Sequence, residues 1–140
     1  MPIHIRTAQY LDAKAVLALA KAFATSFVVE DQAFFGVFSK LLASPQAHVA
    51  VAEIDRQLVG YILGFEHETF FANGAVTWVE EIMVSERFRR QGIGQVLMQA
   101  IETWAAQRGS KLVGLATRRA APFYRALGYE ESAIYFRKLL

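Results

Sequence analysis

Apolar residues along this chain change their period several times, and each change marks an element. Ile3 and Ile5 alternate with polar neighbours, which predicts a short strand over 3–6. Leu17, Ala20, Phe23 and Ala24 then recur at helical spacing, so a helix is expected from about 12 to 27, with Asp12 as a residue suited to capping it. A second helix is expected over 31–42, ending ahead of Pro45 because the residue before a proline avoids helical backbone. Val49, Val51 and Ile54 belong to a strand that turns at Asp55-Arg56-Gln57. Strands over 58–66 and 75–84 follow, joined by the turn residues Ala72-Asn73-Gly74, and the three strands read as an antiparallel meander. Past a charged loop, Ile93, Val96, Leu97, Ala100, Ile101 and Trp104 share one face of a helix over 92–108, which Gly109 stops. The apolar run over 111–117 is the next strand, and its spacing from the previous one implies a βαβ unit with parallel strands. A short helix with Pro122 in its first turn carries Phe123, Tyr124 and Leu127 and ends at Gly128, and 134–140 is expected to close the chain as a strand.

Composition narrows the class. At 140 residues, 54% hydrophobic and 20% charged, the chain has the balance of one globular domain spanning 1–140, and it contains no repeat, low-complexity tract or Pro/Ser-rich linker. The absence of cysteine excludes thiolate catalysis, thiolate zinc sites and disulfides, and agrees with a reducing compartment. The first residues lack the apolar stretch of a secretory signal, and no run approaches the roughly 18 apolar residues of a membrane span. A cytoplasmic protein with no membrane partner is the expectation. The net charge of +2 conceals an asymmetry: residues 1–70 hold five Lys/Arg against seven Asp/Glu, and residues 71–140 hold ten against six. That basic second half suits an anionic ligand but is too scattered to argue for nucleic acid.

Candidate chemistry concentrates at Arg89-Arg90-Gln91-Gly92-Ile93-Gly94, between a strand and a helix. Glycines there let backbone approach a ligand closely, and free amides at a helix start attract an anion such as a pyrophosphate. No Gly-Lys-Ser/Thr follows, so this is not a Walker loop, and only two of the three glycines of a dinucleotide fingerprint are present. Taken in order, Glu80-Glu81-Ile82-Met83-Val84, the Arg89–Gly94 stretch and Phe123-Tyr124-Arg125-Ala126-Leu127-Gly128-Tyr129 resemble the GNAT family of N-acetyltransferases. The detailed match covers about 75–129, and the order of elements elsewhere agrees.

That resemblance implies an α/β GNAT fold: a mixed, mostly antiparallel sheet splayed between its fourth and fifth strands, with helices on both faces. It implies acetyl-CoA as co-substrate, its pyrophosphate held by Arg89, Arg90, Gln91, Gly92, Ile93, Gly94 and Gln95, largely through backbone amides. Its pantetheine arm would lie along the backbone of Ile82, Met83 and Val84 as a short added strand. Thr117 stands where family members frequently carry an Asn bonded to the cofactor, and its hydroxyl can donate a hydrogen bond. Tyr124 matches the tyrosine that often protonates the departing thiolate. On a helix Phe123 and Tyr124 point about 100° apart, so Phe123 with Leu127 is expected in the core and Tyr124 at the cleft.

Glu80 and Glu81 interrupt an otherwise apolar strand, and successive strand residues face opposite sides, so at least one carboxylate must meet a cavity, a partner or solvent. A carboxylate there can take the proton that an ammonium must lose before its nitrogen attacks a thioester. The pair resembles the Glu-Asp of diamine acetyltransferases, which puts Glu80 first as the base and Glu81 next. The aromatic segment around Phe23, Phe27, Phe34, Phe35 and Phe38 is first of all core, but in the resembled family it borders the acceptor pocket. Phe27, Glu30, Glu66 and His67 are the expected substrate-binding residues, in an acidic and aromatic mouth fit for a small cationic amine. His4, His48 and His67 are too scattered for a metal site, and no metal is expected. No Gly-x-Ser-x-Gly elbow supports an acyl-serine hydrolase. The reading is direct acetyl transfer from acetyl-CoA to a primary amine in a ternary complex. The alternatives are the same chemistry on a protein amino terminus, a lysine or a charged tRNA, a CoA-binding module without turnover, and a cofactor-free nucleic-acid binder. The terminal strand and exposed aromatics could support a homodimer.

Overall fold

A computed structural model describes residues 2–24 and 26–140. Strand β1 (His4–Thr7) leads through a 3-10 turn into α1 (Ala13–Phe23) and α2 (Asp31–Ala43). Then come β2 (Ala47–Ile54), β3 (Gln57–Thr69), β4 (Gly74–Val84), α3 (Ile93–Gln107), β5 (Val113–Leu115) and α4 (Ala121–Ala126). The five strands form one sheet in chain order, the first four pairing antiparallel and β5 lying parallel to β4. The meander and the βαβ unit are therefore as expected. Asp55 and Arg56 take left-handed backbone (φ 51° and 65°), as a two-residue hairpin between right-twisted strands requires.

Alternation distributes the core. On one face Val49 and Val51 of β2 and Tyr61 and Leu63 of β3 pack against Val16 and Ala20 of α1 and Phe38 of α2. On the other, Ala50, Ala52 and Ile62 meet Ile93, Leu97, Met98 and Ile101 of α3, each of those four no more than 1% exposed. Gly64 permits this close packing, since a Cβ there would stand 2.6 Å from Cδ1 of Ile101.

Two bulges interrupt the alternation. In β3, Val59 is the extra residue, for Ala52 faces Gly60 while Glu53 faces Leu58. In β4 it is Glu80, because Leu63 faces Glu81 and Gly64 faces Val79. At that same level β4 loses its other neighbour. The β4–β5 register runs only from Thr77/Val113 to Val79/Leu115, leaving the last five residues of β4 without a partner on that edge. This is the expected splay.

Three expectations are corrected. The first helix ends at Phe23, where Ala24 turns extended (ψ 134°), and of the expected remainder Thr25 lies outside the described residues. The following Phe27-Val28-Val29 run is rich in residues whose χ1 freedom a helix restricts. Asp12 makes no side-chain cap to α1, because its carboxylate accepts both terminal nitrogens of Arg6 at 2.8 Å and the Gln9 amide at 2.7 Å. The segment 134–140 forms no strand. With β5 only three residues long there is little edge to extend; instead Tyr135 stacks on Trp78 (centroids 6.4 Å apart) and Arg137 donates to Ser26 Oγ at 3.0 Å. No described helix is long and apolar enough to cross a membrane.

Candidate functional site

Between the α1/α2 layer and the sheet lies a cavity of about 930 Å³, bounded by the bulged middle of β4, the chain leaving β5 and the segment around Tyr135. Its floor is the apolar face just described: Val16, Ala20, Phe38, Val49, Tyr61 and Leu63, none more than 8% exposed. Phe27 and Glu30, two of the four residues expected at the acceptor site, border it, and so do both acids of β4.

The bulge separates those two acids. Glu80, the extra residue, is exposed at the rim. Glu81 is half-buried against the cavity floor, where the Tyr61 hydroxyl donates to its Oε1 at 2.7 Å. Burial first, and then the neighbouring carboxylate, push the Tyr61 phenol far above the usual tyrosine range, so it remains a donor at every working pH. Tyr61 was not among the candidates read from sequence. A tyrosine in an apolar strand reads as core, and only the pairing of β3 with β4, together with the bulge, carries it to Glu81.

Glu66 and His67 do not reach this cavity. Strand parity sends Glu66 to the α3 face, where its carboxylate accepts Nε and Nη2 of Arg108 at 3.1 and 3.0 Å. His67 is exposed on the far end of β3. Cavity-lining residues that the sequence did not single out for the acceptor site include Trp78, Tyr135 and Arg137.

The glycine loop follows the unpaired end of β4. Arg90 and Gly92 have left-handed backbone (φ 65° and 83°), turning the chain sharply into α3. The first helical bond there runs from the Val96 amide to the Gly92 carbonyl at 3.1 Å, which leaves the amides of Ile93, Gly94 and Gln95 without a helical acceptor. A Cβ on Gly92 would have no neighbour within 4 Å, so the turn faces open space. Gln91 is likewise exposed. Arg89 folds back, donating through Nε to the Val84 carbonyl at 3.1 Å. Ile82 and Val84 are half-buried on the α3 side and Met83 is buried on the other, so only their backbone edge faces the splay. These free amides, the open turn and the unpaired edge of β4 fit a phosphate-bearing, strand-like ligand.

Phe123 is not in the core as expected, and the ring that packs there is that of Tyr124. Tyr124 is 8% exposed within the α3-side core, edge-on to Phe123 and Tyr129, whereas Phe123 is 37% exposed and lies over the start of α3. Gly94 sets this arrangement, since a Cβ there would stand 3.2 Å from Cζ of Phe123. Burial raises the Tyr124 phenol above its ordinary value. Thr117 borders the cavity, and its Oγ1 accepts the Ala120 amide at 3.1 Å, leaving the hydroxyl hydrogen free to donate. No cluster of three His, Asp or Glu side chains able to hold a metal occurs among the described residues.

A model of the acetyltransferase (GNAT) family matches residues 15–129. The chain is 32% identical over 117 residues to the aminoalkylphosphonate N-acetyltransferase of Salmonella typhimurium, across 80% of this chain and 75% of that one. It is 29% identical over 118 residues to aminoglycoside N(6′)-acetyltransferase type 1 of Acinetobacter genomosp. 13, across 77% and 81% of the two chains. Among solved structures, glucosamine-6-phosphate N-acetyltransferase from Arabidopsis thaliana superposes with a TM-score of 0.88 over 99% of each chain at 19% identity. AAC(6′)-Iy in complex with the bisubstrate analogue CoA-S-monomethyl-acetylneamine gives 0.83 over 100% of each chain at 21% identity.

Proposed function

The chain belongs to the GNAT family of acetyltransferases and is an N-acetyltransferase, and from that premise we propose that it transfers the acetyl group of acetyl-CoA to a small-molecule primary amine by direct attack in a ternary complex. One observation carries the reading: at the Glu80 bulge β4 parts from β5, so the sheet opens where the cavity has a carboxylate in its wall, and the freed edge of β4 runs on toward the phosphate-suited loop ahead of α3.

The amides of Ile93, Gly94 and Gln95 hold the pyrophosphate, and the free edge of Ile82 to Val84 pairs with the pantetheine arm, displacing the Arg89 side chain from the Val84 carbonyl. The co-substrate supplies an acetyl thioester. Glu81 takes a proton from the acceptor's ammonium, and the freed nitrogen attacks the thioester carbonyl. Backbone amides at the β4 bulge polarise that carbonyl. A C–N bond forms, the C–S bond breaks, Tyr124 protonates the thiolate that leaves, and the second proton shed by the new amide nitrogen restores the Tyr124 phenol. That last role requires the hydroxyl of Tyr124, whose ring packs in the α3-side core, to reach the break between β4 and β5. Glu81 is preferred to Glu80 as the base because it is seated in the cavity with one oxygen held by Tyr61 and the other unclaimed by a donor among the described residues.

Paired substitutions test the assignment. Glu81→Gln is expected to lower kcat/KM for the amine by about 100-fold, the usual weight of a positioned base, with acetyl-CoA affinity retained. Glu80→Gln should stay within about threefold of the parent, as an exposed rim residue does. The reverse ranking would return the role to Glu80.

A further inference from the structure

The acceptor itself is legible in how charge and apolar surface divide the cavity. Resting on the reading of this cavity as the acceptor site, we infer that the amine substrate carries one ammonium group on an apolar, aromatic body. Four of the five charged residues bordering the cavity are exposed at its rim: Glu30 and Glu80, offset by Arg118 and Arg137. Glu81 is the fifth, and it alone is set against the floor, where Tyr61 satisfies Oε1 and no other described residue donates to the second oxygen. The cavity therefore presents one uncompensated negative charge. It can pair one buried cation, and a second would find carboxylates only at the exposed rim, where Glu30 and Glu80 share the border with Arg118 and Arg137.

The walls around that carboxylate are hydrocarbon and ring. Phe34 and Phe38 stack at 5.5 Å with planes 22° apart on the α2 side, and Trp78 and Tyr135 stack at 6.4 Å across the opposite mouth. A flat ring joined to a primary amine by a short chain fills this shape while its ammonium meets Glu81, and burial of the ring supplies affinity that sugars or phosphonates cannot match there. A polyamine would lay further ammonium groups against phenylalanine and valine. An aminoglycoside would bring hydroxyl groups to a floor of Val16, Ala20, Phe38, Val49, Tyr61 and Leu63 whose one polar side-chain atom, the Tyr61 hydroxyl, already gives its hydrogen to Glu81. An aminoalkylphosphonate would have to reach Arg118 and Arg137 at the exposed rim and would leave the ring-lined walls unfilled.

The test is calorimetric titration of phenethylamine, spermidine, kanamycin and 2-aminoethylphosphonate into the folded protein, with and without saturating CoA. Phenethylamine is expected to bind at least about tenfold more tightly than each of the others, and Glu81→Gln to weaken it about tenfold while the far-ultraviolet spectrum is unchanged. Equal or tighter binding of any of the other three, no binding of phenethylamine, or an unchanged affinity in Glu81→Gln overturns the inference. Failure to bind CoA would instead count against the proposed acetyl transfer, and the ranking measured without CoA still decides the acceptor class.

Discussion

The Tyr61 hydroxyl has one protein partner, Oε1 of Glu81, and its ring is part of the α1/α2-side core. Tyr61→Phe keeps the ring and deletes the donor. Its expected effect is a drop of about tenfold in kcat/KM for the amine, with acetyl-CoA affinity unchanged and an unfolding midpoint within a few degrees of the parent. In a Glu81→Gln background the same change should have almost no further effect on turnover, because the two act as one unit. Steady-state kinetics on the four proteins check this, and additive losses would mark Tyr61 as packing alone. A different residue cluster governs stability. Asp12 is 8% exposed and joined with Glu53 to Arg6, whose guanidinium holds the Asp12 carboxyl below its ordinary value. Since the folded value is depressed, this contribution is complete above the unfolded value near 3.8 and is lost as pH falls through the folded one. Asp12→Asn is expected to cost about 1–3 kcal/mol at neutral pH, in line with a buried acceptor of charged hydrogen bonds. Denaturant unfolding should show the gap narrowing as the pH is taken below 4, and a gap independent of pH would rule out the ion pair as its source.

At the scale of elements, the bulge in β4 is the feature on which the site depends. Deleting Glu80 would leave Val79 opposite Gly64 and Glu81 opposite Leu63 in an unbroken ladder, without turning any core side chain to the wrong face. The expected product is a folded protein with intact far-ultraviolet circular dichroism and acetyl transfer reduced by more than about 100-fold. Transfer near the parental rate would show that the break in the ladder is incidental. None of this was visible beforehand. Two adjacent acids announce that one must find a polar environment, but not that an extra residue lets the strand offer both to one cavity. What was legible followed from side-chain periodicity: Val49 and Val51 to one face, Ala50 and Ala52 to the other, and α3 from its apolar stripe. The terminal segment misled because the β-favouring run at Ile134 to Phe136 describes only the chain itself, while a strand needs an edge, and β5 presents three residues. Phe123 and Tyr124 were misplaced for a similar reason. Helical geometry separates their directions, yet which direction is inward depends on Gly94, thirty positions away, leaving room for the Phe123 ring.

Across the whole molecule, the sheet divides labour between its faces. The α3 face carries the tightest packing, with Ile62, Leu97, Met98 and Ile101 at 0% exposure, and it anchors the helix whose first amides remain free. The α1/α2 face is hollow, and its aromatic floor reaches β4 where the ladder breaks. The basic excess of the second half of the sequence falls partly around the loop, at Arg87, Arg89 and Arg90, which suits the anionic part of the co-substrate. The family, the order of strands and the loop were readable because they depend on ordered local motifs. The acceptor was not, because it is defined by walls drawn from stretches far apart in the chain, from Val16 in α1 through Trp78 to Glu81 in β4 to Arg137 near the end. The most direct measurement mixes acetyl-CoA and phenethylamine with the parent protein and with Glu81→Gln, and follows the N-acetylated amine by mass spectrometry alongside release of free CoA thiol. The account predicts equal amounts of both products from the parent and a rate lower by about 100-fold from the variant. Bound acetyl-CoA with no acetylated amine from the parent, or parental rates from Glu81→Gln, would contradict it.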